Sequence, residues 1–305
     1  QWLTPSKEKS NNINNDLKNI YHALVLGLRD YVRKNKFKGV IIGLSGGIDS
    51  ALTATIAVDA LGSESVQCVM MPSPFTSTAS LIDAKKVSRN LGIQFKNISI
   101  QPAIRSFKRM IEKNAKLRVL TNVFDNIQAR SRGVTLMSLS NTNGYLVLST
   151  GNKSETSVGY VTIYGDMCGG YAVLKDIYKT TVYELAKWRN KNFSHQFLGA
   201  NQSIIPSRVF SKAPTAELHR NQKDQDILPP YKKLDGILKH FLEEDMGVQQ
   251  VIKRGYSAKI VKKIWQMLIL AEYKRRQSPP GIKVTKRAFG RDRRYPITNR
   301  FFDWP

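Results

Sequence analysis

Cysteine is scarce in this chain of 305 residues, which contains only Cys68 and Cys168. Two cysteines are too few for a disulfide framework and are typical of a reducing compartment. Long apolar runs are also missing, because no segment reaches the roughly 18 residues that a membrane-spanning helix needs. The polar segment 1–15 lacks the apolar centre of a signal peptide. We therefore expect a soluble, cytoplasmic protein with no membrane partner.

Acidic residues are scarce as well: 23 Asp and Glu stand against 48 Lys and Arg, which gives a net charge of +25. About half of this excess lies between Val251 and Pro305, where 15 basic residues accompany three acidic ones. Basic blocks of this kind bind nucleic acid in some proteins and form solvated faces in others. The charge indicates an anionic partner and leaves both interpretations open.

Short apolar segments alternate with helical patterns in the first half of the chain, which favours an α/β fold. The predicted strands are Val40–Leu44, Val66–Met71, Gln94–Ile100 and Tyr145–Thr150, and the predicted helices are Asp16–Lys34, Ile48–Leu61, Ser77–Leu91 and Val123–Ser140. This alternation predicts a doubly wound parallel sheet flanked by helices on both faces. Ligands of such sheets bind beyond the carboxyl ends of the strands, so the segments after Leu44, Met71 and Thr150 are the places for chemistry.

The pattern beyond Thr180 is helical, so a helical carboxy-terminal part follows the sheet. The helices predicted there are Val182–Asn190, Tyr231–Phe241, Val248–Arg254 and Ala258–Arg276. We divide the chain into a linker or tail at 1–15, a main domain at 16–277 and an irregular, basic extension at 278–305.

The turn after the first predicted strand has the sequence Ser45-Gly46-Gly47-Ile48-Asp49-Ser50. The two glycines let backbone N–H groups approach a ligand closely, and the helix start behind them carries a partial positive charge. The serines add hydroxyl donors, and Asp49 adds a carboxylate that suits a magnesium ion bridging phosphates. An ordinary turn with an Asp helix cap could account for any one of these residues, but it accounts less well for all of them occurring together. The loop therefore predicts a pyrophosphate cradle.

Two other nucleotide-binding patterns are missing from the sequence. It contains neither G-x-x-x-x-G-K-[ST] nor G-x-G-x-x-G, which excludes a Walker-type loop and the dinucleotide fingerprint of hydride-transfer enzymes. The loop at 45–50 instead resembles the SGGxDS loop of the ATP pyrophosphatases. These enzymes split ATP between its α and β phosphates to adenylate a substrate oxygen, and they include several synthetases and tRNA-modifying enzymes.

Further segments between about Tyr21 and Phe301 resemble the NAD synthetases, in that family's order and spacing. They are NIQAR (126–130), STGNKSE (149–155), GY (159–160), YGD (164–166) and KAPTAEL (212–218). The segments DQDILPPY (224–231), EYKRRQSPPG (272–281) and AFGRDRRYPITNRF (288–301) resemble the longer, glutamine-dependent branch. The resemblance implies an adenine nucleotide alpha hydrolase-like, Rossmann-like fold and a ligase that forms a carbon–nitrogen bond.

The same resemblance implies which residues bind the two nucleotides and the metal. The implied ATP-binding residues are Gly43, Leu44, Ser45, Gly46, Gly47, Ile48, Asp49, Ser50, Thr150, Lys179 and Thr215. The implied deamido-NAD-binding residues are Asn126, Arg130, Glu155 and Lys274. Asp49 and Glu155 are the implied Mg²⁺ ligands, and Asp49 and Lys179 are the implied catalytic residues.

Some of these residues also have a physical interpretation of their own. Asn126 and Arg130 are four apart on a predicted helix and share one face, where an amide and a guanidinium suit the polar edges and carboxylate of a dinucleotide. Arg132 points elsewhere and is expected in solvent. Taken alone, Thr150 fits a strand-ending turn and Glu155 an exposed carboxylate at a helix start. Lys274 on its own is one of many exposed lysines.

The resemblance also implies a two-step reaction. The carboxylate of deamido-NAD attacks the α-phosphorus of ATP, pyrophosphate leaves into the 45–50 loop, and ammonia converts the acyl-adenylate to NAD and AMP. Lys179 would neutralise charge on the departing pyrophosphate. No side chain is assigned as a general base. By the same resemblance we expect a homodimer.

The glutamine-dependent branch carries an amino-terminal glutaminase domain with a Cys nucleophile. In this chain neither cysteine precedes the 45–50 loop. We therefore expect the chain as printed to use free ammonia, and a glutaminase domain or a separate glutaminase subunit to be its partner. Whether that domain was cut away or is a separate chain stays open.

The basic charge and the 45–50 loop also allow two functions other than that of a synthetase. A tRNA-modifying ATP pyrophosphatase would suit the basic charge, but its thiolating members usually need a reactive cysteine pair that is lacking here. A non-catalytic nucleic-acid-binding protein would use the block after Val251 and would leave Asp49 and the glycine loop unexplained. Since both substrates of a synthetase are small polyanions, we expect no nucleic-acid partner.

Overall fold

The computed structural model describes residues 13–115 and 121–299. The predicted linker at 1–15 lies mostly outside these residues, although the first helix already begins at Ile13. Residues 300–305 of the predicted extension also lie outside. The other predicted helices and strands lie within the described residues.

One parallel sheet forms the centre of the fold. Its strands are β1 (Val40–Gly43), β2 (Val66–Met70), β3 (Gln94–Asn97), β4 (Leu146–Ser149) and β5 (Tyr171–Ala172). Their order is β3-β2-β1-β4-β5, and all pairs are parallel. Ile42 of β1 pairs with Cys68 on one side and Leu148 on the other. The α/β fold with a doubly wound parallel sheet is confirmed.

Helices cover the sheet and make up most of the regular structure of the remaining described residues. They are α1 (Ile13–Lys34), α2 (Ile48–Leu61), α3 (Thr78–Leu91), α4 (Gln101–Ala115), α5 (Thr121–Asn143), α6 (Lys153–Val158), α7 (Lys179–Lys191), α8 (Ser207–Ser211), α9 (Tyr231–Leu242), α10 (Val248–Lys253), α11 (Ala258–Leu270) and α12 (Glu272–Arg275). Short 3₁₀ turns lie at Ser63–Ser65 and Asp224–Asp226.

The two faces of the sheet pack against different helices, because successive side chains of a strand point to opposite faces. Ile42, with its strand neighbours, packs against α1, α2, α3 and α7. Ile41, Val69 and Val147 point the other way and pack against α4 and α5. This two-sided burial explains why the central strands β1 and β4 appear in the sequence as continuous apolar runs.

The predicted helical carboxy-terminal part has a hydrophobic core of its own. Helices α9, α10 and α11 contribute Leu234, Val251, Ile264 and other fully buried side chains to it. The single helix predicted at Ala258–Arg276 is wrong in one respect: helix α11 ends at Leu270, and α12 begins at Glu272 after a change of backbone angle at Ala271.

Two elements of the sheet region were not predicted. Helix α4 follows β3 directly, and β5 extends the sheet beyond β4 by only two residues. The segment 279–282 lies beside β5, where the Ala172 N–H donates to the Pro280 carbonyl (2.8 Å). The described residues beyond 278 are irregular, and the segment 279–282 lies against the edge of the sheet.

A buried polar cluster joins the first helix to α2 and α7. Asp59 is fully buried and accepts hydrogen bonds from the Tyr21 hydroxyl (2.6 Å) and from Arg189 Nε (2.7 Å) and Nη2 (3.0 Å). Every charge in this cluster has a partner, as burial requires. Within the residues that the structure describes, none of the helices is both long and apolar enough to cross a membrane.

Candidate active site

The loop between β1 and α2 forms a tight cradle of backbone and hydroxyl groups. Ser45 N donates to Ser50 Oγ (3.2 Å), and Ser50 Oγ donates to the Gly47 carbonyl (3.1 Å). Gly47 N donates to Ser45 Oγ (3.3 Å). These bonds hold the loop at the amino terminus of α2, where the free N–H groups and the helix dipole favour a bound anion.

Gly46 is required by the conformation of this loop. Its φ of +80° is one that side chains with a Cβ rarely adopt. A Cβ there would also collide with the backbone carbonyl oxygen of Ser80 on α3. The glycine therefore allows the 45–50 loop to lie directly against the start of α3.

A cleft of about 280 Å³ opens beyond the carboxyl ends of β1, β2 and β4. This is the place where parallel sheets bind their ligands. Ten of the residues predicted to bind ATP line it: Gly43, Leu44, Ser45, Gly47, Ile48, Asp49, Ser50, Thr150, Lys179 and Thr215. Glu155 lines it as well. The structure thus brings together side chains that are far apart in the sequence.

Asp49, Glu155 and Lys179 form an ion-paired group in the cleft. Lys179 Nζ lies 2.5 Å from Asp49 Oδ2 and 2.9 Å from Glu155 Oε1. Burial lowers the pKa of Lys179, but the two carboxylates outweigh it and the net shift is upward. Burial raises the pKa of Glu155 to about 7, although Lys179 opposes the shift. The group therefore holds a permanent cation between two acidic groups.

Asn152 is part of this group and was not predicted to be. Its Nδ2 donates to Asp49 Oδ1 (2.9 Å), and its Oδ1 accepts from the Glu155 N–H (3.0 Å) as the cap of α6. The spacing of Asn152 and Glu155 is typical of a helix start, so the sequence could have revealed the cap. The bond to Asp49 spans 103 residues and has no local signal.

Three of the residues predicted to bind deamido-NAD converge on one loop, Gly159–Ile163. Asn126 Oδ1 accepts from Thr162 Oγ1 (3.1 Å), and Arg130 Nε donates to the Ile163 carbonyl (3.2 Å). Lys274 Nζ donates to the carbonyls of Gly159 (2.8 Å) and Val161 (2.7 Å). Tyr160 and Thr162 of this loop line the cleft. Asn126, Arg130 and Lys274 thus all contact the loop 159–163, which forms part of the cleft wall.

Arg132 does not lie in solvent, and that prediction is wrong. Its Nε donates to the Met71 carbonyl at the end of β2 (3.1 Å), and the side chain lines the cleft. Burial lowers the pKa of Arg132 to about 10. Arg132 follows Arg130 by two residues, so its side chain does lie on another face of α5, as predicted. That face forms a wall of the cleft and is not open to solvent.

The segment that carries Thr215 is attached to α3 by Glu217. The Glu217 carboxylate accepts from Ser77 Oγ (2.8 Å), Ser80 Oγ (2.8 Å) and Lys212 Nζ (2.9 Å). Burial would raise the pKa of Glu217, but these donors outweigh it and the pKa is lowered. Because Gly46 lies against Ser80, the Thr215 segment and the 45–50 loop both contact the start of α3.

Asp224 is a further acidic residue of the cleft wall. It is 4% exposed, and the Tyr231 hydroxyl donates to its Oδ2 (2.7 Å). The ring of Tyr231 lies 5.2 Å from Lys179 Nζ. Burial raises the pKa of Asp224, against the effects of Tyr231 and Lys179.

The carboxylates of the cleft offer ligands for a divalent cation. Among the described residues there is no group of three or more His, Cys, Asp or Glu side chains placed to hold a metal. Asp49 and Glu155 nevertheless approach one cation, Lys179, from two elements. Mg²⁺ is often bound by one or two carboxylates together with substrate phosphates and water, so this pair fits a magnesium ion that enters with a nucleotide.

The arrangement suits chemistry on a phosphate ester. An anion-binding loop, a buried lysine and two carboxylates surround one cleft. Comparison with protein families matches residues 20–278 to the NAD synthase family. The chain belongs to the NAD synthase family.

Curated relatives in this family are glutamine-dependent NAD(+) synthetases. That of Aquifex aeolicus is 51% identical over 283 residues, which are 93% of this chain and 48% of the relative. That of Rhodobacter capsulatus is 48% identical over 293 residues, which are 94% of this chain and 52% of the relative. The chain thus spans about half the length of the curated relatives it matches.

Several solved structures share the fold of this chain. The glutamine-dependent NAD+ synthetase of Acinetobacter baumannii, in complex with ADP, has a TM-score of 0.61 at 45% identity, over 98% of this chain and 51% of that one. The NH3-dependent NAD synthetase of Campylobacter jejuni has a TM-score of 0.63 at 27% identity, and the match covers 83% of this chain and 93% of that one. The NMN synthetase of Francisella tularensis has a TM-score of 0.70 at 27% identity, and the match covers 85% of this chain and 95% of that one.

Proposed function

We propose that the chain is an NAD synthetase that joins ammonia to the carboxyl group of deamido-NAD, with conversion of ATP to AMP and pyrophosphate. The observation that carries the proposal is the joint placement of Asp49, Glu155 and Lys179 beside the 45–50 loop in one cleft. Membership of the NAD synthase family supports it.

The phosphates of ATP fit the 45–50 loop. In the first step a carboxylate oxygen of deamido-NAD bonds to the α-phosphorus, and the bond between the α-phosphorus and the bridging oxygen breaks. The backbone N–H groups and serine hydroxyls of the loop stabilise the pyrophosphate that leaves. Lys179, held 2.5 Å from Asp49, supplies a fixed positive charge at the same edge of the cleft.

Asp49 and Glu155 would hold the magnesium ion. When bound, that ion supplies positive charge that offsets the negative charge of the phosphates. The amide of Asn152 orients Asp49 for this task (2.9 Å). Such partners of metal ligands contribute to both affinity and rate.

Deamido-NAD is expected to lie against the loop Gly159–Ile163. Asn126, Arg130 and Lys274 all contact this loop, and the first two remain available to a substrate on the same face of α5. The basic charge of the chain then attracts two small polyanions rather than a nucleic acid.

The test is to incubate the chain with ATP, magnesium, deamido-NAD and ammonium, and to measure NAD, AMP and pyrophosphate. We expect the three products in equal amounts. A parallel reaction with nicotinic acid mononucleotide is needed, because one structural neighbour is named an NMN synthetase. Release of ADP, or AMP release that requires tRNA instead of deamido-NAD, would contradict the proposal.

Two further properties belong to the proposal. We expect ammonia to come from glutamine through a glutaminase domain or subunit, because the curated relatives are glutamine-dependent. We also expect a homodimer. Sedimentation of the chain as a monomer at micromolar concentration would count against the dimer.

A further inference from the structure

Five acidic side chains line the cleft, and they differ in how their charge is balanced. Asp49 and Glu155 share Lys179, Glu217 is paired with Lys212, and Asp166 is exposed and accepts from the Thr162 N–H. The fifth, Asp224, is buried and forms no ion pair with any cation among the described residues. A buried carboxylate without a cationic partner costs free energy, so its position needs an explanation.

The surroundings of Asp224 are suited to a small cation. Tyr231 donates to Oδ2, which fixes the carboxylate and leaves Oδ1 for another donor. The Tyr160 hydroxyl, which is buried in the same wall, forms no hydrogen bond of normal length among the described residues but lies close enough to Asp224 to interact with its carboxylate. Aromatic rings beside a carboxylate are a typical environment for an ammonium group, which both attract.

Asp224 also lies close to the reacting groups. Tyr231, which donates to Asp224, has its ring 5.2 Å from Lys179 Nζ, and Lys179 contacts the carboxylates that flank the proposed phosphate site. The Asp224 N–H donates to the Pro214 carbonyl (3.1 Å), next to Thr215. A cation held at Asp224 would therefore enter the cleft beside both substrates.

We propose that Asp224 is a catalytic residue of the proposed synthetase reaction. It binds ammonium and takes a proton from it, so that the ammonia formed at this place can act as the nucleophile. One N–H bond of ammonium breaks and its proton passes to Asp224, which frees the nitrogen lone pair. That pair forms the C–N bond at the acyl carbon, and the bond from this carbon to the phosphate oxygen breaks with AMP as the leaving group. A second proton passes from nitrogen to the AMP phosphate. The raised pKa of Asp224 supports this role, since a more basic carboxylate is a better proton acceptor.

This inference rests on the proposed function, and the test separates the two by measuring the half-reactions individually. Exchange of labelled pyrophosphate into ATP, with deamido-NAD and without ammonium, reports adenylation alone. NAD formation at varied ammonium concentration reports the second step. If the unmodified chain catalyses neither, the proposed function fails and not merely the role of Asp224.

The first variant is Asp224→Asn, which keeps the shape of the side chain. We expect pyrophosphate exchange within about twofold of the unmodified chain, and NAD formation from ammonium lowered about 100-fold. Hydroxylamine, which is neutral at pH 7 and needs no proton removal before attack, should restore product formation to near the unmodified rate. Tyr231→Phe should raise the KM for ammonium by a smaller factor, because it removes one hydrogen bond and keeps the ring.

The matched control is Asp226→Asn, in the same 3₁₀ turn. Asp226 is exposed and accepts only from the Lys223 N–H (2.8 Å) among the described residues, a bond that asparagine can keep. Both half-reactions should be unchanged in it. The proposal is overturned if Asp224→Asn lowers pyrophosphate exchange as much as NAD formation, if it leaves the ammonium dependence unchanged, or if hydroxylamine fails to restore the rate.

Discussion

Asn152 holds Asp49 in place through a hydrogen bond of 2.9 Å from Nδ2 to Oδ1, while its own Oδ1 caps α6. One side chain thus starts a helix and orients a proposed metal ligand. The two tasks can be separated by substitution, because serine also caps helices but is too short to replace the amide.

We predict that Asn152→Ser retains most of the stability of the chain and loses about 10- to 100-fold in magnesium affinity or kcat/KM. Asn152→Ala should show the same loss and, in addition, lower the free energy of unfolding by about 0.5–2 kcal/mol. Urea unfolding and magnesium titration of the reaction rate measure the two effects. Normal magnesium dependence in Asn152→Ser would show that the bond to Asp49 has no role in the reaction.

Gly46 and Gly62 offer a matched pair of substitutions in the same βαβ unit. Both have positive φ, +80° and +84°, but a Cβ at Gly46 would collide with Ser80, whereas one at Gly62 meets open space. Gly62→Ala should cost only backbone strain, about 1–3 kcal/mol. Gly46→Ala should also displace the 45–50 loop and raise the KM for ATP at least about tenfold. Equal KM values in the two folded variants would contradict the proposed role of the loop.

Asp59 is predicted to act on stability alone. Asp59→Asn leaves the Arg189 charge, whose side chain is 1% exposed, without its counter-charge. This should lower the free energy of unfolding by about 3–5 kcal/mol, while activity per folded molecule stays unchanged. The control is Asp30→Asn, which breaks the exposed pair of Asp30 with Lys34 (2.8 Å) and should change stability by less than about 1 kcal/mol. A similar effect of both changes in chemical denaturation would disprove the prediction.

Cys168 should report occupation of the cleft. It lines the cleft, and burial raises the pKa of its thiol, so the reactive thiolate fraction at pH 8 is below that of a free cysteine. Cys68 is fully buried in β2 and should not react in the folded chain. We expect iodoacetamide to modify Cys168 slowly, faster as the pH rises, and more slowly still with ATP and deamido-NAD present. Mass spectrometry of the labelled peptides gives the rates, and an unchanged rate with both ligands would place them elsewhere.

The sequence was sufficient to predict most of the sheet and the tight turn at 45–50, because both depend on local patterns. Ile41 and Ile42 point to opposite faces, yet both are fully buried, so β1 appears as a continuous apolar run. The loop after it needs glycine for steric reasons. The two-residue strand β5 is too short for any periodicity. Helix α4 did carry a signal, since Ile104, Phe107 and Ile111 repeat at helical spacing.

The missed parts of the candidate site depend on contacts between distant segments. Arg132 was expected in solvent because only its offset from Arg130 was visible, whereas its place is determined by the end of β2. Asp224 lies in a stretch with three acids or amides in succession, and only the fold shows which of them is buried in the cleft. The assigned roles of Asn126, Arg130 and Lys274 remain predictions.

The segment 279–282 also has a consequence for how the chain behaves among copies of itself. Strand β5 is the last in the order β3-β2-β1-β4-β5, and a sheet edge with unpaired backbone groups is a template for strand addition and aggregation. The Pro280 carbonyl occupies the Ala172 N–H, Lys175 Nζ donates to the Pro279 carbonyl (2.6 Å), and proline itself cannot extend a ladder. The segment 279–282 thus covers part of the β5 edge, which leaves less of its backbone open to a further strand.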